Sequence, residues 1–147
     1  YMAHSTDYDA VSWKPFACQW NGDIGAAYIT VDAGKMMYLG QFSAHRYWNE
    51  ANCMVTKFDI YGYCQEGEPA KSGSMDGWTL LGSYGYNPDI STNFAEGDII
   101  KINKEQTKQA RYYRINAKEN WHVTYGAPND WRAHVYTFTE FRFWEYK

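Results

Sequence analysis

The stretch YITVDAGK, Tyr28 to Lys35, decides how the rest of the chain is read. Ile29 and Val31 alternate with Tyr28, Thr30 and Asp32, so one edge of the segment is apolar and the other is not. A period of two marks a strand with one buried face. MMYLGQF, just downstream, reads as an ordinary half-buried strand.

The same alternation recurs along the chain. TKFDIYGYC sets Phe58 and Ile60 against Asp59 and Tyr61, and GWTLLGSY and DIIKIN follow. RYYRINAK places Tyr113, Ile115 and Ala117 on one face. TFTEFRFWEY alternates Phe141 and Phe143 with Glu140 and Arg142 as a closing strand. Helical periodicity is almost absent. Between the strands lie QEGEPAKSGSMDG, GYNPDISTNFAEG and NWHVTYGAPNDWRAH, all rich in turn residues. Short strands joined by long irregular loops predict an all-β, antiparallel β-sandwich of the jelly-roll kind.

Length and charge narrow the function. The 147 residues suit one domain with a real core, and the net charge of -3 argues against a nucleic-acid partner. No apolar run is long enough for a transmembrane helix, and no signal peptide is seen. Because the chain opens abruptly at Tyr1, residues 1–147 are expected to be a single domain cut from a longer multidomain polypeptide. Cys18, Cys53 and Cys64 are an odd set without a CxxC. Cys53 and Cys64 flank one strand, which disfavours a mutual bridge. Free, mostly buried thiols are expected, with pairing of Cys18 to one of the others left open.

Aromatic residues are the outlier. Seven Trp, fourteen Tyr and seven Phe are more rings than a core of this size absorbs. The surplus must lie near the surface, where rings mark recognition.

The order of motifs resembles a known family. YITVDAGK is similar to the DLGK strand of discoidin domains, also called coagulation-factor 5/8 type C domains, with Ala33 in place of Leu. FDIYGY with DGWTLLGSY, then ARYYRINAKENW, then FTEFRFWEY resemble that family's later strands in the family's order. The family's opening L-x-D-G segment is not visible before Tyr28. The Trp- and Tyr-rich flavour is similar to surface lipoproteins of gut Bacteroidetes that accompany glycan importers. The resemblance implies a galactose-binding-like sandwich, shared with family 32 carbohydrate-binding modules. It implies a glycan partner, other domains of the same polypeptide as neighbours, and a cell-surface or periplasmic location. A membrane would be met only through a lipid anchor outside this segment. It also implies a structural calcium near the chain termini, with Glu140 as one ligand and the remaining oxygens from the opening loop. The alternative for Glu140 is an ordinary surface glutamate.

Sugars offer hydroxyl pairs for hydrogen bonding and a C–H face that stacks on rings. Three loops mix these tools: SWKPFACQWNGD, HRYWNEAN and NWHVTYGAPNDWR. In HRYWNEAN, His45, Arg46 and Asn49 are candidates for hydroxyl binding beside a Trp48 platform. Arg helps because its planar fork spans adjacent acceptors. The alternative is that Trp48 continues inward as a core plug. Trp121, His122, Tyr125 and Trp131 are candidates in the third loop, with plugging of the sandwich end as the alternative. Of Trp13, Phe16 and Trp20, two are expected to cap the core. Catalysis is not expected, since no G-x-S-x-G elbow, H-E-x-x-H or phosphate-cradling loop occurs and nothing selects a pair among seventeen carboxylates. The expectation is a non-catalytic glycan-binding module using loops at one end of the sandwich. The competing readings are a protein-docking or spacer domain and, last, a phospholipid-binding domain.

Overall fold

The structure is a computed structural model, and it describes residues 2–4, 16–19, 28–45, 55–71, 73–85, 98–126, 131–138 and 140–146. Among the described residues nine strands run β1 (Met2–His4), β2 (Phe16–Gln19), β3 (Tyr28–His45), β4 (Val55–Tyr63), β5 (Trp78–Gly85), β6 (Asp98–Lys101), β7 (Gln109–Asn120), β8 (Val135–Phe138) and β9 (Glu140–Glu145). One short helix, α1 (Trp121–Tyr125), follows β7, and a 3-10 turn over Trp131–His134 precedes β8. None of the helices among the described residues is long and apolar enough to cross a membrane.

The segment that opened the sequence analysis organises the fold. YITVDAGK and MMYLGQF, read as two strands, form one strand of 18 residues. Its first part, Tyr28 to Tyr38, lies antiparallel to β7. Its second part, Leu39 to His45, lies antiparallel to β9, with β6 on its other side. The register against β7 breaks between Asp32 and Met37. Gly34 sits in that break at φ +77°, a left-handed conformation that costs glycine little. Asp32 Oδ1 accepts the Gly34 N–H at 2.7 Å and holds the bend. Thus β3 leaves a layer ordered β3-β7-β4-β5 and enters a second layer ordered β1-β9-β3-β6. Because the two layers share β3, the sandwich is partly closed toward a barrel.

The apolar faces meet between the layers. Phe42 of the second layer lies 5.6 Å from Phe58 of the first, and Tyr113 lies 5.7 Å from Phe143. Leu39, Ile60, Leu81, Ile115 and Phe141 complete the buried centre, and Ala33 packs against it. The Tyr113 hydroxyl is satisfied in this core by donating to the Met37 carbonyl at 2.8 Å, with that of Ala110 at 3.0 Å alongside. Cys64 is free and half-buried, its Sγ 3.4 Å from the Gly62 carbonyl.

Two expectations are corrected. TFTEFRFWEY is not one strand: β8 pairs with β2, whereas β9 pairs with β3 and β1. Phe141 is buried and Phe143 packs against the core, as the alternation requires, but the residues before Glu140 belong to a separate ribbon. The loop NWHVTYGAPNDWRAH is also more ordered than expected. Asn120 caps α1, its side-chain oxygen accepting from the Val123 N–H at 2.9 Å while its amide donates to the Val135 carbonyl at 2.8 Å.

Candidate functional site

The outward residues of β3 line up with those of β7 and β4 by register. Tyr28, Asn116 and Asp59 form one row, Thr30, Arg114 and Tyr61 the next, and Asp32, Tyr112 and Tyr63 the third. A bare sheet face would leave these nine side chains in water. Instead the loop joining β4 to β5 folds back over part of this face. Glu68, Pro69, Ala70 and Lys71 form the wall opposite Tyr28, Thr30, Asp32, Tyr112 and Arg114, enclosing a cleft of about 400 Å³. That volume lies in the range of small-molecule sites.

Arg114 holds the wall in place. It is only 2% exposed, and its guanidinium lies between the rings of Tyr28 and Trp78, 4.2 Å from each centroid. Its Nε donates to Thr30 Oγ1 at 3.2 Å and its Nη1 to the Ser74 carbonyl at 2.9 Å, with Met75 Sδ at 3.4 Å. Burial pulls the Arg114 pKa below its ordinary value. The loop returns to β5 through a turn closed by the Trp78 N–H on the Met75 carbonyl, with Gly77 at φ +80°. At the cleft's edge, Arg111 grips Asp32 with two hydrogen bonds of 2.7 Å. That fork holds the Asp32 carboxyl below its usual pKa, and the same pairing raises that of Arg111.

The cleft therefore offers a 37% exposed tyrosine ring, Tyr28, beside a hydroxyl, carboxylates and an ammonium. The loops singled out from sequence did not contain it. Its signal was present as the polar half of YITVDAGK and the arginines and tyrosines of RYYR, which alternation alone reads as a solvated face.

The loop end lies six residues further along β7 than Arg114, on the order of 20 Å away. His45 ends β3 opposite Glu140, the first residue of β9. Trp121 and Tyr125 are brought together on α1, ring centroids 6.1 Å apart, and Tyr125 is 54% exposed. His122 is turned the other way. It is buried, contrary to its expected place on the ligand surface, because the Asn120 cap orients α1 with that side chain inward. Neither His122 ring nitrogen reaches a partner among the described residues. Trp131 opens the 3-10 turn. Arg46, Trp48 and Asn49 lie outside the described residues, as do Trp13, Trp20 and the side chains of Phe16, His45, Trp131 and Glu140. Among the described residues no three His, Cys, Asp or Glu side chains gather in a metal-binding group.

A family model described as a domain of unknown function, DUF5000, matches residues 6–145. The chain belongs to that family. Among curated proteins, none matches this DUF5000 chain. Several solved structures share the DUF5000 domain's fold. The SusE-like protein BT2857 aligns over 97% of this chain and 81% of its own, with a TM-score of 0.67 and 20% identity. The family 32 carbohydrate-binding module of AlyQ, solved with 4,5-unsaturated mannuronic acid, aligns over 97% and 89%, with a TM-score of 0.56 and 18% identity. The F5/8 type C domain of a Bacteroides fragilis protein aligns over 90% and 74%, with a TM-score of 0.55 and 16% identity. The fold is that of discoidin domains and family 32 modules, an antiparallel jelly-roll sandwich.

Proposed function

We propose that this domain is a non-catalytic carbohydrate-binding module, one unit of a longer bacterial protein that handles glycans at the cell surface or in the periplasm. The observation that carries the reading is the sheet-face cleft, where an exposed ring and converging polar groups share one concavity. Tyr28 supplies a face for the C–H side of a sugar, while Thr30, Lys71 and the acidic rim supply partners for its hydroxyls. The similarity to a SusE-like protein and to a glycan-bound family 32 module supports both the ligand class and the extracytoplasmic setting. One ring and a few hydrogen bonds make a weak site, which several copies or neighbouring domains would strengthen by multivalency.

The loop end is a second surface for the same activity, favoured by the exposed Tyr125 ring beside Trp121. His45, Arg46, Trp48, Asn49 and Trp131 remain candidates there, and Glu140 for calcium. A glycan array followed by titration calorimetry on wild type, Tyr28→Ala and Tyr125→Ala separates the surfaces. Binding lost in Tyr28→Ala alone supports the cleft. Binding lost only in Tyr125→Ala moves the ligand to the loop end. Silence toward every glycan sinks the reading in favour of a docking or spacer domain.

A further inference from the structure

Resting on the cleft as the glycan site, we infer that its guest is an acidic sugar, whose anionic group is received by Lys71 and Arg114.

Lys35 pairs with Glu145, Lys57 with Glu119, Arg111 with Asp32 and Lys118 with Asp59, all with partly exposed side chains. Arg114 is far more buried than any of these, yet its hydrogen-bond partners are a hydroxyl, a carbonyl and a thioether, all neutral. Buried charges are ordinarily matched by an opposite charge, because desolvation is costly. The faces of Tyr28 and Trp78 offset part of that cost. An anion is still missing from the inventory of its partners, and Arg114 is one of the residues that line a cleft large enough to admit one.

The neighbouring charges point the same way. Lys71 is exposed on the opposite wall and has no ion partner among the described residues. Two carboxylates also line the cleft, Asp32 and Glu68. Both Asp32 oxygens are occupied, by the Arg111 fork and the Gly34 N–H. Glu68 is exposed, and its field is felt by Arg111 and Tyr112 on the Asp32 side. With Arg111 counted beside them, the cleft keeps one positive charge in excess, and Lys71 and Arg114 are the cations without a carboxylate. A neutral sugar leaves that excess uncompensated. A uronate carboxylate or a sugar sulfate accepts charge-assisted hydrogen bonds from the ammonium and lies within the field of the guanidinium. Beside it, the sugar ring rests on Tyr28.

The test uses matched polymers. Polygalacturonate against its methyl-esterified form and mannuronate-rich alginate against β-1,4-mannan each differ chiefly in the charged carboxylate, and carrageenan carries sulfate on a galactan. Titration calorimetry at low and at physiological salt is run on wild type, Lys71→Gln, Arg114→Gln and Tyr28→Ala, with thermal unfolding of each. The expected result is binding to an acidic polymer with little or none to its neutral counterpart, and weakening as salt rises. Lys71→Gln should bind at least about tenfold more weakly with its melting temperature unchanged. Binding to polygalacturonate or alginate assigns the anion as a carboxylate, and binding to carrageenan alone assigns it as a sulfate. Equal binding of acidic and neutral polymers, abolished by Tyr28→Ala but indifferent to Lys71→Gln, overturns the inference and leaves the glycan site standing. Binding of none of them, or binding untouched by Tyr28→Ala, removes both.

Discussion

The two faces of β7 are both covered, by unlike means. The inner face, Tyr113, Ile115 and Ala117, is sealed by the opposite layer, where Phe143 meets Tyr113 and Phe42 meets Phe58. The outer face, Tyr112, Arg114 and Asn116, is covered by the loop between β4 and β5. One covering is apolar, continuous and made by strands. The other is polar, hollow and held by a single guanidinium between two rings. A face sealed by a second sheet becomes core, whereas one covered by a loop pinned at a few points keeps a cleft.

Substitutions on either side should separate these two kinds of burial. Tyr113→Ala empties a fully buried position and leaves the Met37 and Ala110 carbonyls without their donor, so it should cost about 3–5 kcal/mol in urea unfolding. Arg114→Ala should cost less, about 2 kcal/mol, while exposing residues 65–77 to limited proteolysis. Equal costs, with no new cleavage, would show that the outer face is core after all. Gly77→Ala should lose about 1–2 kcal/mol, because its φ of +80° disfavours a side chain and the new Cβ would lie 2.6 Å from the Tyr63 ring. Tyr28→Ala should cost about 1 kcal/mol, because its ring covers the Arg114 guanidinium, while removing glycan binding.

The smallest effect is electrostatic. Asp32 has a folded-state pKa below its ordinary 3.8, so its ion pair with Arg111 stabilises the fold above that value. That contribution is lost as pH falls through the depressed folded-state pKa. Both partners are partly exposed, so the loss should be slight and further reduced by salt. Comparing melting temperatures of wild type and Asp32→Asn between pH 6 and pH 2 checks it. Their difference should shrink on acidification, and a constant difference would assign Asp32 to holding the Gly34 bend alone.

The sequence pattern and the structure part company at places with a common cause. Strand positions and inner faces were legible, since Ile60, Phe58, Tyr113, Ile115 and Phe141 are buried as period two requires. The join of Tyr28–His45 into one strand was not, because a break at Gly34 reads equally as a turn or as a bend between layers. Nor was the inward turn of His122, which depends on a cap tied to Val135 fifteen residues away. The surplus of rings placed several of them at the surface, Tyr28, Tyr38 and Tyr125 among them. It could not say that Tyr28 and Tyr112, on opposed strands, would meet Lys71 across a cleft.

What this sequence determined by itself is the all-β class, the inner faces of the strands and, through the order of its motifs, the discoidin-like sandwich. These follow from hydrophobic alternation, which is local and repeats along each strand. Tertiary structure alone decided that β3 serves both layers and that Glu68, Pro69, Ala70, Lys71, Ser74 and Met75 come to the outer face of β7. It also decided that a buried arginine would donate its hydrogen bonds to neutral partners at the side of a cleft. Cross-strand register and loop return place residues tens of positions apart side by side, and no pattern within a single segment encodes those encounters.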